Sequence, residues 1–253
     1  MMTTSKRVAF VTGGGTGIGQ SAALELQKTG HNVVIIGRRM EPLQETIDMG
    51  LKEGPEMLAI TADVGNPEQI RAAFARTLEV FGRLDVLFNN AGVGAPRIPM
   101  EELKLEDWKR AVDINLTGAF ICVQEAIKIM KAQSPKGGRI INNGSVSAHS
   151  PRPDTVAYTT TKHAMTGMTK SIALDGRSHD ISCSQIDIGN ADTPLGERFK
   201  HGVPQANGEM MVEDVMDASN CGKAVAYIAG LPKGANVLFM TIMATNMPFV
   251  GRG

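Results

Sequence analysis

The chain lacks a net charge, a cysteine framework and any long apolar run, and each absence narrows what it can be. Its 26 Lys and Arg balance 26 Asp and Glu over 253 residues. No basic excess offers nucleic acid an electrostatic footprint, and no block of like charge marks a disordered tail. Cys122, Cys183 and Cys221 are isolated and odd in number. Without a CxxC pair or a Cys/His cluster, the expectation is reduced, buried thiols and no metal. The apolar runs fall far short of the roughly 18 residues that cross a bilayer. Met1–Arg7 is polar and short, without the apolar segment of a signal peptide. A protein of the reducing cytoplasm is expected, with neither nucleic acid nor membrane as partner.

What the chain does have is alternation. Val8–Val11, Val33–Ile36, Met57–Thr61, Val86–Asn89, Arg139–Asn142, Ile181–Ile186 and Val237–Thr241 read as strands. Several are continuously apolar, as parallel strands covered on both faces are. Helical length and spacing lie between them, near 18–29, 41–52, 67–81, 106–132, 158–176 and 214–230. The pattern predicts an α/β fold: a Rossmann-type doubly wound sheet of about seven parallel strands with helices on both faces. No Pro/Gly/Ser-rich linker or internal repeat divides the chain, so residues 1–253 are read as a single domain. The irregular stretch 189–212 is long for a connection inside a compact domain and predicts a substrate loop, of the kind that closes as a lid.

Thr12 to Gly19 follow the first strand and open the first helix. Glycines there permit a sharp turn and close backbone approach, while the helix N-terminus presents N–H groups and a favourable dipole to phosphate. The spacing is T-G-x-x-x-G-x-G on Gly13, Gly17 and Gly19, with Gly15, Thr16 and Ile18 inside the turn. Between a strand and a helix, this pattern points to dinucleotide binding. After the second strand, where NAD sites commonly carry an acidic residue for the ribose hydroxyls, the chain has Arg38 and Arg39. Two guanidiniums suit a 2′-phosphate, so NADP is preferred over NAD, mainly on Arg38.

Tyr158 and Lys162 stand at i and i+4, on one face of a predicted helix. An ammonium beside a phenol favours the phenolate and suits the tyrosine to general acid/base work. Taken singly the spacing is an ordinary helix pair, but other positions agree with it. Asp63-Val64 follows the third strand and Asn89-Asn90-Ala91-Gly92 the fourth. Asn115 lies in a long predicted helix, and Ser145 follows the fifth strand, thirteen residues before Tyr158. This ordered set resembles the short-chain dehydrogenase/reductase family over nearly the whole chain.

The resemblance implies a role for each matching position. Ser145 would hydrogen-bond the substrate oxygen, and Tyr158 would donate or remove its proton. Lys162 would support Tyr158 and hold the nicotinamide ribose, and Asn115 would help anchor a water relaying protons from Lys162. Asp63 and Val64 would lie at the adenine, and Asn89, Ala91 and Gly92 along the cofactor's path. Gly189, Ala191 and Thr193 would hold carboxamide and phosphate, although Ile188 stands where the family usually has proline. Ser147 and His149 would face substrate, with Gly94 and Ala95 shaping the pocket. The implied protein is an NADP(H)-dependent oxidoreductase that reduces a ketone or aldehyde, or oxidises a secondary alcohol. The alternatives are an NAD-dependent alcohol or polyol dehydrogenase and a catalytically silent NADP-binding regulatory subunit. A homotetramer or homodimer is expected. The apolar, Met-containing tail at 236–253, which lacks the family's usual Asp-Gly-Gly, is read as core strand and subunit contact.

Overall fold

The computed structural model describes residues 6–250; the rest of the predicted polar N-terminal segment and the last three residues of the tail lie outside the described residues. Seven strands form one parallel sheet: β1 (Val8–Thr12), β2 (Asn32–Gly37), β3 (Met57–Thr61), β4 (Val86–Asn89), β5 (Gly138–Asn143), β6 (Ile181–Ile188) and a final strand, Phe239–Ile242. Their order across the sheet is final strand, β6, β5, β4, β1, β2, β3. The helices are α1 (Gly17–Lys28), α2 (Met40–Met49), α3 (Pro67–Phe81), α4 (Leu105–Val112), α5 (Ala119–Ala132), α6 (Val156–Asp175) and α7 (Ala218–Gly230).

The two-residue period of each strand divides its side chains between two cores. Val8, Phe10, Val34, Ile36 and Leu87 face Ile70 and Phe74 of α3 and Cys122 and Met130 of α5. Ala9, Val11, Val33, Ile35 and Phe88 face Leu26 of α1, Leu43 of α2 and Val225 and Ile228 of α7. Phe10 and Phe74 stack with centroids 4.3 Å apart. Each fully buried side chain of this kind stabilises the fold by about 1.5–3 kcal/mol. Coverage of both faces therefore explains why the strands are apolar without alternation.

Local signals set several boundaries. The Asn66 side chain accepts from the N–H of Glu68 and Gln69, Pro67 opens α3, and Gly82 closes it with φ 73°. The helix expected from residue 214 begins at Ala218. Met216–Asp217 pairs as a short parallel strand with Ala191–Asp192, and Asp217 caps α7 by accepting from Ser219 N–H at 2.7 Å. The helix predicted over 106–132 is interrupted by a π-helical turn, Asp113–Gly118. Asn115 lies inside it, accepting from Val93 N–H at 2.8 Å and donating to Val93 C=O at 2.9 Å. Such turns are rare and recur at functional sites.

Residues 189–212 are more ordered than their sequence suggests. Glu197–Lys200 forms a 3₁₀ turn, and Val203–Pro204 pairs antiparallel with Met210–Met211. Ile188, in place of proline, extends β6 opposite Ile242 of the final strand. Beyond that strand, Met243, Ala244, Met247 and Phe249 pack with Val146, so the tail covers the segment next to Ser145. The three cysteines are free and buried, and burial pushes each thiol up to about 12. No helix among the described residues is long and apolar enough to cross a membrane.

His31 is fully buried where α1 turns into β2, its Nδ1 against Leu26 C=O and Thr29 Oγ1 and its Nε2 without a partner. Burial, reinforced by the Arg7 charge, lowers its pKa to about 4. An unfolded chain takes up this proton near pH 6.5, whereas the folded one refuses it until about pH 4. Stability is thus unaffected above pH 6.5 and falls by about 3 kcal/mol on acidification through that interval. His31→Leu should lose correspondingly less stability between pH 7 and pH 4 in urea titrations. Equal losses in variant and wild type would refute this role.

Candidate active site

β1 delivers the chain into the glycine turn, and the turn delivers it into α1. Gly13 and Gly17 have φ of 67° and 55°, a left-handed conformation that glycine adopts without a Cβ penalty. A Cβ at Gly19 would collide with the Gly13 carbonyl oxygen, so this glycine serves close packing behind the turn. Thr16 makes no side-chain cap on α1, and the first turn of the helix has no acidic residue. The N-terminus therefore keeps its N–H groups and dipole for an anion. Gly13, Gly15, Thr16, Gly17 and Ile18 line one end of a cleft of about 530 Å³; Gly19 does not.

The cleft continues past Arg38 and Arg39 after β2, Asp63 and Val64 after β3, and Ala91 and Gly92 after β4. Both arginines are solvent-exposed. Asn89 does not join them. It is buried on the α5 side, where its amide donates to Ala119 C=O at 2.9 Å. The strand period that sends Leu87 toward α5 sends Asn89 there as well. The cleft residue at this place is Asn90, which sequence reasoning passed over. Thr12 Oγ1 accepts from the N–H groups of Asn90 and Ala91, each at 2.8 Å, and Asn90 Nδ2 donates to Thr12 C=O at 2.9 Å.

Ser145, Tyr158 and Lys162 all line the cleft. Ser145 Oγ accepts from Ser147 N–H at 3.1 Å, so its own proton is left to donate. Lys162 is buried; its Nζ donates to Asn143 C=O at 2.7 Å and stands 5.6 Å from the Tyr158 ring centroid. Asn115 does not line the cleft: its amide is spent on Val93 and on Thr161 Oγ1 at 3.2 Å, bracing the helix behind Tyr158. His149, expected at the substrate, is turned away as well. Its Nε2 lies 2.8 Å from the Oδ2 of Asp187, and its ring meets Phe249 edge-on. The fully buried Asp187 also accepts from Ser145 N–H at 3.0 Å and Gln185 Nε2 at 2.7 Å. Nothing in the sequence signalled its part.

Ser147, Gly94, Ala95, Gly189, Ala191 and Thr193 also line the cleft. Arg97, Arg152, Arg198 and Phe199 also stand there. Arg152 is paired with Glu213, which also accepts from Asn190 Nδ2 and Gln205 Nε2. Burial alone would raise the Glu213 carboxyl, but these hydrogen bonds outweigh it and hold the pKa at about 2. Together the residues can take a dinucleotide along the strand ends and place a hydroxyl, a phenol and an ammonium where a carbonyl oxygen would lie.

A family model for short chain dehydrogenases matches residues 7–203. The chain is 36% identical over 193 residues to a 3beta-hydroxysteroid dehydrogenase of Mediterraneibacter gnavus, covering 76% of this chain and 69% of that protein. A 3-ketoacyl-(acyl-carrier-protein) reductase of Brucella melitensis, solved with NADH, superposes with a TM-score of 0.82 at 25% identity, over 94% of this chain and 97% of that one. An actinorhodin polyketide ketoreductase solved with NADPH gives 0.83 at 27% identity, over 96% and 97%.

Proposed function

We propose that this chain, which belongs to the short-chain dehydrogenase family, is an NADP(H)-dependent oxidoreductase interconverting a carbonyl compound and its secondary alcohol. The family and its relatives make it an oxidoreductase of CH–OH groups with a nicotinamide cofactor. The observation that carries the finer reading is the convergence of Ser145, Tyr158 and Lys162 on a cleft whose other end is the uncapped N-terminus of α1.

The cofactor, when bound, supplies or takes the hydride. In the reductive direction charge develops on the substrate oxygen, and the residues act there. Ser145 donates its hydroxyl to that oxygen and stabilises the charge. Tyr158 transfers its phenolic proton to the same oxygen. Lys162, held by Asn143, stands beside the phenol, where it would hold the nicotinamide ribose. Gly13, Gly15, Thr16, Gly17 and Ile18 would hold the pyrophosphate; Asp63, Val64, Ala91 and Gly92 would flank the adenosine half and the path beyond it. Gly189, Ala191 and Thr193 would hold the carboxamide end. Gly19 and Asn115 act through packing, and the 189–212 segment forms the substrate wall.

NADP over NAD rests on Arg38 and Arg39, which border the cleft where the adenosine ribose would lie; Glu41, the first carboxylate after β2, does not line the cleft. Free, buried cysteines support a reducing cytoplasm. The exposed apolar side chains Phe120, Tyr227, Leu238 and Phe239 support a homotetramer or homodimer, because association would bury them.

Tyr158→Phe should lower kcat by roughly 100-fold or more, the scale of general acid catalysis, while NADP(H) affinity by fluorescence titration stays near wild type. Near-normal turnover would remove Tyr158 from the mechanism. In thermal-shift titrations NADP should stabilise the wild type far more than NAD, and Arg38→Asp should reverse the order. An unchanged order in that variant would favour the NAD-dependent alternative. Light scattering at micromolar concentration should report a dimer or tetramer, and a monomer would overturn the assembly.

A further inference from the structure

The substrate end of the cleft holds more positive charge than the proton chemistry requires. Arg97, beyond β4, Arg152, ahead of α6, and Arg198, in the Glu197–Lys200 turn, reach it from separate parts of the chain. Arg152 has its carboxylate in Glu213. Among the described residues no hydrogen bond or ion pair engages the guanidinium of Arg97 or Arg198, and the buried Nε of Arg198 has no partner. Arg198 Nη1 comes within 4.0 Å of where a Cβ on Gly94 would stand, and both arginines lie within electrostatic reach of Tyr158.

Guanidiniums keep their charge in proteins, so this cluster is repulsive and under-bonded as it stands. Burial, then the charges of Arg198 and Arg152, press the Arg97 pKa down to about 10. Burial lowers Arg198 also. Two of the guanidiniums stand over the Phe199 ring, Arg152 at 5.2 Å and Arg198 at 5.1 Å from its centroid. A bound anion would satisfy the unpaired donors and remove the repulsion together. On the proposed function the cofactor's phosphates take the glycine turn and Arg38 as partners.

We propose that Arg97 and Arg198 form an anion subsite that selects oxo acids and hydroxy acids. The reacting carbon sits at Ser145 and Tyr158, and a carboxylate elsewhere in the same molecule is gripped by the two guanidinium forks. The carbonyl carbon gains the hydride as its π pair moves to oxygen, which takes the Tyr158 proton. Carbon is reduced, the cofactor is oxidised and the carboxylate is unchanged. The reacting half of this assignment rests on the oxidoreductase reading above; the anion half rests on the arginines alone.

The test compares a straight-chain oxo acid, its methyl ester and an oxoalkyl phosphate of matched length, in wild type and in Arg97→Gln, Arg198→Gln and the double variant. Wild type should favour the acid over the ester in kcat/KM, mainly through KM, by on the order of ten- to a hundredfold, as charge-assisted bonds provide, and the double variant should bring that ratio below about threefold. If the double variant does not fold, each single variant reads the same ratio. A ratio near one in wild type, or one that survives both substitutions, overturns the subsite and leaves the oxidoreductase reading intact. Preference for the phosphate over the acid overturns the carboxylate assignment. Loss of NADP affinity with an unchanged acid preference overturns it by giving the arginines to the cofactor. Calorimetric titration of the matching saturated acid into cofactor-loaded protein separates the two readings. Binding that the substitutions abolish, without turnover of any oxo compound, upholds the subsite and sinks the oxidoreductase reading.

Discussion

All strands of the main sheet run the same way, so every strand's C-terminal end emerges at one edge. That constraint places the rest of the site. The glycine turn follows β1, Arg38 follows β2, Asp63 follows β3, Asn90 to Gly92 follow β4, Ser145 follows β5 and Gly189 follows β6. These positions follow one another along the edge in spatial rather than sequence order, with the N-terminus of α1 at the glycine turn. Helices on both faces follow from the same topology, since parallel strands need crossovers, and the crossovers cover the apolar faces.

A second layer of order is polar and buried. Thr12 holds the backbone after β4, Asn143 Nδ2 donates to Asn90 Oδ1 at 2.8 Å, and the Asn143 carbonyl receives Lys162. This relay connects the phosphate turn to the ammonium across three strands. Asp187 does the same for the serine loop, tying β6 to Ser145 N–H and to His149. Groups buried this far must be hydrogen-bonded, and once satisfied they permit few alternative arrangements. The consequence is a backbone at Ser145 held in place by buried hydrogen bonds.

At the substrate end the balance is different. Arg152 pairs with Glu213, which also accepts from Asn190 and Gln205. Arg97 and Arg198 line the cleft without a hydrogen bond or ion pair among the described residues, and the buried Nε of Arg198 has no partner.

The sequence by itself determined the sheet, the glycine turn after β1 and the placing of Tyr158 and Lys162 on one helix face, because these depend on local periodicity, on turn chemistry and on spacing within one helix. It also carried enough to place Asn89 correctly, since the strand period that buries Leu87 buries Asn89 beside it. Tertiary structure alone decided the start of α7, where Met216–Asp217 is claimed as a strand by Ala191–Asp192. It decided the orientation of His149, which Asp187 draws off the substrate from 38 residues away. It also decided the arginine cluster. Arg97, Arg152 and Arg198 lie in three segments with no shared periodicity, in a chain whose charges sum to zero. Net charge is a sum over the whole surface, whereas a binding site is set by which charges the fold brings within a few ångströms and then shields from water.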